Sequence, residues 1–232
     1  MNLKYKEDLV ITSETGNKIL VRFLRVEITE LRKTIEEIIY NIANLSWINN
    51  FSGETLKKCF IERATPTIEK LCNNLKNNID SNEVNEIGEI VVSNVGRLII
   101  EQTYNYYVLP LAEIIKEQLS NNPGFDYHCV TKEDIPIFGE AKYVAGKNAY
   151  GKALSQVANF IEEAKDIKEA ELLYHFISNS AYENIGLGNK GYSISFSSTD
   201  IENKELLNNI TKNNDFKKLL EYKEIIVVAV DV

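Results

Sequence analysis

The chain has 232 residues, 44% of them hydrophobic, with few Pro and Gly; this suits a globular protein of one or two domains and excludes a disordered or low-complexity one. A net charge of −8 excludes simple non-specific affinity for nucleic acid. A nucleic-acid function would need a local basic face, divalent metals over its carboxylates, or a partner that delivers the nucleic acid.

Residues Leu9 to Val26 read as a hairpin: "LVITS", a turn at "ETGN", then "KILVRFLRV". From Thr29 the period becomes helical, with Leu31, Ile35, Ile38, Ile39 and Ile42 at steps of three or four. "NLSWINNFSGE" breaks that pattern, and a second helix is expected over Glu54 to Leu75, interrupted at Pro66. "NNLKNNIDSN" is linker-like and places a boundary near residue 80. This divides the chain into an N-terminal hairpin and helical region, 1–80, and a core, 81–232.

The core opens with Ser81 and Asn82 as candidate caps and an apolar stripe of Val84, Ile87, Val91, Val95 and Leu98. A helix is expected from Leu109 to Gln118, then a hairpin in "GFDYHCVTKEDIPIFGEAKY". "NAYGKALSQVANFIEEAKD" follows as an amphipathic helix, "ELLYHFISNSAYENI" as a further helix, and "KGYSISFSS" as a strand. Asp200 to Tyr222 is mostly helical, and "EIIVVAVDV" ends the sequence as a buried strand. The fold class is α/β (α+β), a mixed sheet covered by helices. That last apolar run is too short for a membrane span, and "MNLKYKEDLV" lacks an apolar signal core. Cys59, Cys72 and Cys129 read as reduced thiols, and a cytoplasmic protein without membrane contact is expected.

The hairpin carries the chemistry. If Phe125–Val130 pairs with Ile135–Tyr143 around a three-residue loop centred on Glu133, Asp126 falls opposite Glu140. Alternation then puts Asp126 and His128 on one face with Phe138, Glu140 and Lys142. Phe125, Tyr127, Cys129, Ile137, Gly139 and Ala141 take the other. Opposed carboxylates repel unless a divalent cation or an ion pair offsets them. One reading is a structural ion pair. The other is a Mg (or Mn) site in which the metal neutralises charge on a phosphoryl centre and Lys142 orients water or stabilises the transition state. "EAK" alone is weak, since it recurs at Glu163–Lys165; the combination with "GFD" across a short loop is the stronger signal.

Gly124-Phe125-Asp126 followed by Gly139-Glu140-Ala141-Lys142 resembles the signature of the PD-(D/E)xK nuclease superfamily. The resemblance implies a restriction-endonuclease-like core with Asp126, Glu140 and Lys142 catalytic. It also implies a further acidic metal ligand from the preceding helix, here Glu89, with Glu86 one turn earlier. A Gln-x-x-x-Tyr element on the following helix is matched only in part, by Gln156 with Phe160 in the Tyr position. The order "EIGEIVV … LPLAEIIKEQ … GFDYH … IFGEAKY" is similar to the HamA family, nuclease subunits of the Hachiman anti-phage defence system. That likeness covers about residues 84 to 165 and implies a Mg-dependent DNase acting on DNA with a large helicase subunit (HamB-like). A homodimeric type II-like restriction endonuclease and a non-catalytic interaction subunit with the nuclease fold are the alternatives.

Other residues have blander readings. Glu89 beside Gly88 is either a solvated helix residue or a ligand where α-helix and sheet approach closely. His128 is either packed in the strand or part of the site. Lys147 and Lys152 are candidate phosphate contacts. Lys4, Lys6, Lys18, Arg22 and Arg25 form either a basic strip or a solvated strand face.

Overall fold

The computed structural model describes residues 1–13, 15–79, 87–116 and 124–231. The chain begins with β1 (Asn2–Thr12), β2 (Lys18–Glu27), α1 (Leu31–Ala43) and α2 (Glu54–Asn78). Then come α3 (Gly88–Tyr104), β3 (Tyr107–Val108), α4 (Ala112–Lys116), β4 (Tyr127–Val130) and β5 (Pro136–Lys142). The remainder is α5 (Tyr150–Glu162), α6 (Lys165–Leu173), α7 (Asn179–Gly186), β6 (Gly191–Ser198), α8 (Asn203–Lys212), α9 (Asn214–Leu219) and β7 (Glu224–Asp231).

One seven-stranded mixed sheet runs in the order β1-β2-β7-β6-β5-β4-β3. β2, β7, β6 and β5 are parallel neighbours, while β1 and β4 pair antiparallel at either side. β7 is apolar at nearly every position because both of its faces are covered, as expected of a central parallel strand. One face packs Val21, Phe23, Phe138, Ile194 and Val227 against α5, α8 and α9. The other packs Leu24, Tyr127, Ile137, Ala141 and Val228 against α1, α2 and α3. The N-terminal hairpin and helices thus share the sheet and both cores with the rest of the chain. The linker-like stretch at 73–82 is corrected over most of its length: it is helical through Asn78 as the end of α2, with Leu75 buried. Residues 80–86, with the Ser81 and Asn82 caps, fall outside the described residues.

α3 lies directly on the sheet, and its glycines are the reason it can. A Cβ at Gly96 would stand 2.0 Å from Ser195 Oγ, and one at Gly88 2.3 Å from the ring of Tyr143. Gly88 therefore seats the first turn of α3 on the end of β5, beside Lys142.

Three further expectations are corrected. The first hairpin starts at Asn2 rather than Leu9. Its charges hide a strand because β1 is an edge, where charge is tolerated and here paired: Lys4 with Glu27 at 2.9 Å and Asp8 with Arg22 at 3.0 Å. α2 runs unbroken through Pro66, which sits on its exposed side, where water can serve the carbonyl left without a donor. The helix expected from Leu109 begins only at Ala112, since Pro110 biases Leu109 toward extended backbone; Gln118, its expected end, lies outside the described residues. Asp200 to Tyr222 is mostly helical as expected, in two helices, α8 and α9. Asn213 turns outward between them and caps the second by accepting from Asp215 N–H at 2.8 Å.

The proposed basic strip is not a free cationic face. Arg22 donates to Glu224 at 2.6 Å, and Arg25 donates to Asp231 at 2.8 Å and to the carbonyl of Thr199 at 3.0 Å. Among the described residues, no helix is long and apolar enough to cross a membrane.

Candidate active site

The β4–β5 register follows from the pleat and a short turn. Tyr127 pairs with Gly139 and His128 with Phe138, so Asp126, one residue before the strand, lies opposite Glu140. Its N–H donates to Gly139 O at 2.9 Å, and its carbonyl accepts from Ala112 N–H at 3.0 Å. Asp126 Oδ2 accepts from Ala141 N–H at 2.7 Å, so the side chain replaces the ladder partner that β4 is too short to supply.

Glu140 is 0% exposed. Among the described residues neither of its oxygens has a hydrogen-bond partner, although Lys142 Nζ stands 3.0 Å from Oε1 as an ion pair. Burial raises its pKa well above the usual carboxylate range, and nearby Asp126 raises it further, against the pull of Lys142. Burial likewise pushes Asp126 up to about 6, although its bond from Ala141 N–H and the charge of Lys142 oppose this. Burial works against the charged form of Lys142, but Glu140, Glu89 and Asp126 outweigh it and leave its pKa raised. Glu89, exposed in the first turn of α3, binds Lys142 at 3.2 Å. Lys142 thus bridges the strand carboxylate and the helix carboxylate.

A fourth acid escaped the sequence reading. Glu113 in α4 has its Oε2 buried without a partner among the described residues. Burial, then the charge of Asp126, pushes its pKa up to about 7. It sits within "LPLAEIIKEQ", but an acid on a five-residue helix after a proline looks like any solvated helix residue.

The other expected site residues go elsewhere. His128 shares the sheet face of Phe138, whose ring is 5.4 Å away, but its Nε2 meets Glu169 Oε2 at 3.0 Å rather than Asp126 or Glu140. Gln156 is half-buried on α5. Phe160, one turn on, packs edge-to-face on Phe125 at 5.1 Å, an apolar contact a Tyr ring would also make. Glu86 lies outside the described residues. Phe125 breaks the expected alternation: it joins Phe138 and Tyr192 rather than the face of Tyr127 and Cys129. It stands outside the ladder, where helix side chains rather than a neighbouring strand bind its backbone.

Oxygen donors of this kind suit a hard divalent cation: two buried carboxylates beside a lysine, of which Glu140 has no hydrogen-bond partner among the described residues and Asp126 has Oδ2 bound by Ala141 N–H. Among the described residues no group of three or more His, Cys, Asp or Glu side chains is arranged to hold a metal ion. Asp126 and Glu140 remain a facing carboxylate pair, and Mg²⁺ can be held by one or two carboxylates because it retains water or phosphate oxygens in its shell. At the C-terminal ends of the parallel strands is a cleft of about 330 Å³ lined by Arg25, Tyr143, Lys147, Thr199, Asp200 and Asp231; none of Asp126, Glu140, Lys142 and Glu89 lines it. The chain matches no protein-family model, curated protein or solved structure.

Proposed function

We propose that the chain is a Mg²⁺- (or Mn²⁺-) dependent DNA nuclease built on a restriction-endonuclease-like core. The observation that carries this reading is Glu140: a carboxylate at 0% exposure whose oxygens, among the described residues, have no hydrogen-bond partner, opposite Asp126 and ion-paired with Lys142. A purely structural ion pair satisfies its remaining lone pairs with hydrogen bonds, because leaving them bare costs free energy. A metal-binding carboxylate keeps them for the ion.

Asp126 and Glu140 would hold the cation, with Glu89, which pairs with Lys142 beside them, as the further carboxylate. The bound cation supplies Lewis acidity at phosphorus and a lowered pKa for bound water. Lys142 keeps a positive charge over the same position, where the phosphodiester develops negative charge. Tyr143, next to Lys142 in sequence, and Lys147 line the cleft at the strand ends, and that cleft is the place we assign to the DNA backbone. The net charge of −8 makes a separate DNA-gripping subunit fitting, and the motif resemblance suggests a helicase partner in anti-phage defence.

The test is DNA hydrolysis with Mg²⁺, with and without a helicase partner, comparing wild type with Glu140→Ala. Metal-dependent cleavage lost in the variant supports the reading. Intact DNA under every condition, or cleavage unchanged by the substitution, rejects it.

A further inference from the structure

Asp126 is placed by a segment that belongs to neither strand. The residue before it, Phe125, has both backbone polar groups held by side chains from two helices. Its N–H donates to Glu169 Oε1 of α6 at 3.0 Å, and its carbonyl accepts from Lys116 Nζ of α4 at 3.1 Å. Lys116 also donates to Glu169 Oε1 at 2.7 Å, and His128 Nε2 meets the other oxygen at 3.0 Å. One carboxylate thus ties α4, α6, β4 and the approach to Asp126 together, at 6% exposure. Gly124 is part of the device. A Cβ there would stand 1.4 Å from Glu169 Oε1, so only glycine lets the carboxylate reach the Phe125 amide.

The geometry points to Glu169 as the positioning residue of Asp126, with Lys116 and His128 acting through it. This inference rests on Asp126 being a working member of the site proposed above. It gives His128 a role one step removed from the chemistry and gives the Gly of Gly124-Phe125-Asp126 a steric reason. The clamp fixes Phe125; the peptide bond that follows fixes Asp126 N–H on Gly139 O; and the side chain then lies where Oδ2 meets Ala141 N–H. Carboxylates that orient ligands from behind are commonly worth about 10–100-fold in metal affinity.

The Ala141 amide reports on Asp126 without any metal or substrate, because its N–H is bound by Asp126 Oδ2. Hydrogen exchange at that amide is compared in wild type, Glu169→Leu, Glu169→Gln and Glu224→Leu, each relative to central amides of β7. Glu224→Leu removes a comparably buried carboxylate at the opposite end of the sheet. Glu169→Leu is expected to speed Ala141 exchange about five- to tenfold, the worth of roughly one hydrogen bond. Glu169→Gln, which keeps an acceptor for Phe125 N–H and Lys116, restores most of the protection, and Glu224→Leu leaves it alone. Unchanged Ala141 exchange in folded Glu169→Leu overturns the inference. If that variant does not fold, Lys116→Met is read by the same criterion. Mn²⁺ titration followed by electron paramagnetic resonance separates the two claims. Absence of binding to wild type defeats the metal-site reading while the exchange result still decides the positioning. Wild-type binding that weakens about 10–100-fold in Glu169→Leu supports both, and binding unchanged by that variant overturns the positioning role.

Discussion

Lys142 stands 3.0 Å from Glu140 and 3.2 Å from Glu89, so one ammonium joins a fully buried strand carboxylate to an exposed helix carboxylate. The two partners are unequal. Glu89 can turn to water, whereas Glu140 has no other partner among the described residues. Whatever removes the lysine leaves a buried carboxylate either protonated or bound to something else.

Glu140→Gln is expected to abolish metal-dependent hydrolysis, lowering it at least about 100-fold, the usual scale for loss of a group that stabilises developing charge. Its effect on folding is small, because the carboxyl is already biased toward its neutral form by burial. Thermal melting without metal should stay within a few degrees of wild type, on the order of 1 kcal/mol. A large destabilisation of the metal-free protein would mean that the charged form of Glu140 is structural.

Lys142→Met gives the complementary result. At pH 8 it strands Glu140 and costs about 1–3 kcal/mol. At pH 5 the raised pKa of Glu140 favours its neutral form, and the cost should shrink. Denaturant melts at the two pH values measure the difference, and equal losses at both would contradict a pairing role for the lysine.

The register that opposes Asp126 to Glu140 was legible in the sequence because a period-2 pattern and a three-residue turn leave little freedom. The sheet's parallel centre was legible in "EIIVVAVDV", whose unbroken apolar run needs cover on both faces. Glu113 and Glu169 were not legible. Each is a helical acid whose burial depends on how α4 and α6 dock, and nothing local distinguishes it from a solvated one. Phe125 misled for a related reason: alternation holds only while the ladder does, and its backbone is bound by helix side chains instead. His128 was placed on the right face, but its partner comes from 41 residues away.

The two glycines of α3 separate stability from chemistry. Gly96→Ala drives a Cβ into Ser195 in the middle of the sheet, and should destabilise by about 1–3 kcal/mol through overpacking. Gly88→Ala meets the Tyr143 ring just past the C-terminal end of β5, where ring and helix end can move apart. That movement carries Glu89 away from Lys142. Hydrolysis per folded molecule should therefore fall more in Gly88→Ala than in Gly96→Ala. The reverse order would show that the seat of α3 on β5 does not matter to the site.

Ionisation of the site ties stability to pH and metal together. Asp126 is raised to about 6 and Glu113 to about 7, and Glu140 is raised as well, so in the folded state these groups keep protons that the unfolded chain has already lost. Between about pH 4 and pH 7 the native state binds more protons, and their contribution to stability falls as pH rises through that window. His128 and Glu169, both shifted down, act in the opposite sense, so the contribution is read as a difference between variants. Glu140→Gln should flatten the fall in melting temperature from pH 5 to pH 8. On the proposed reading, Mg²⁺ should reverse the same cost by binding the ionised carboxylates. At about 100 times its dissociation constant it adds about 2.7 kcal/mol, or roughly 5–10 °C for a chain of this length. This gain should be present at pH 8, nearly absent at pH 5, and missing in Glu140→Gln at either pH. A Mg²⁺ shift of equal size at both pH values would place the ion somewhere other than these carboxylates.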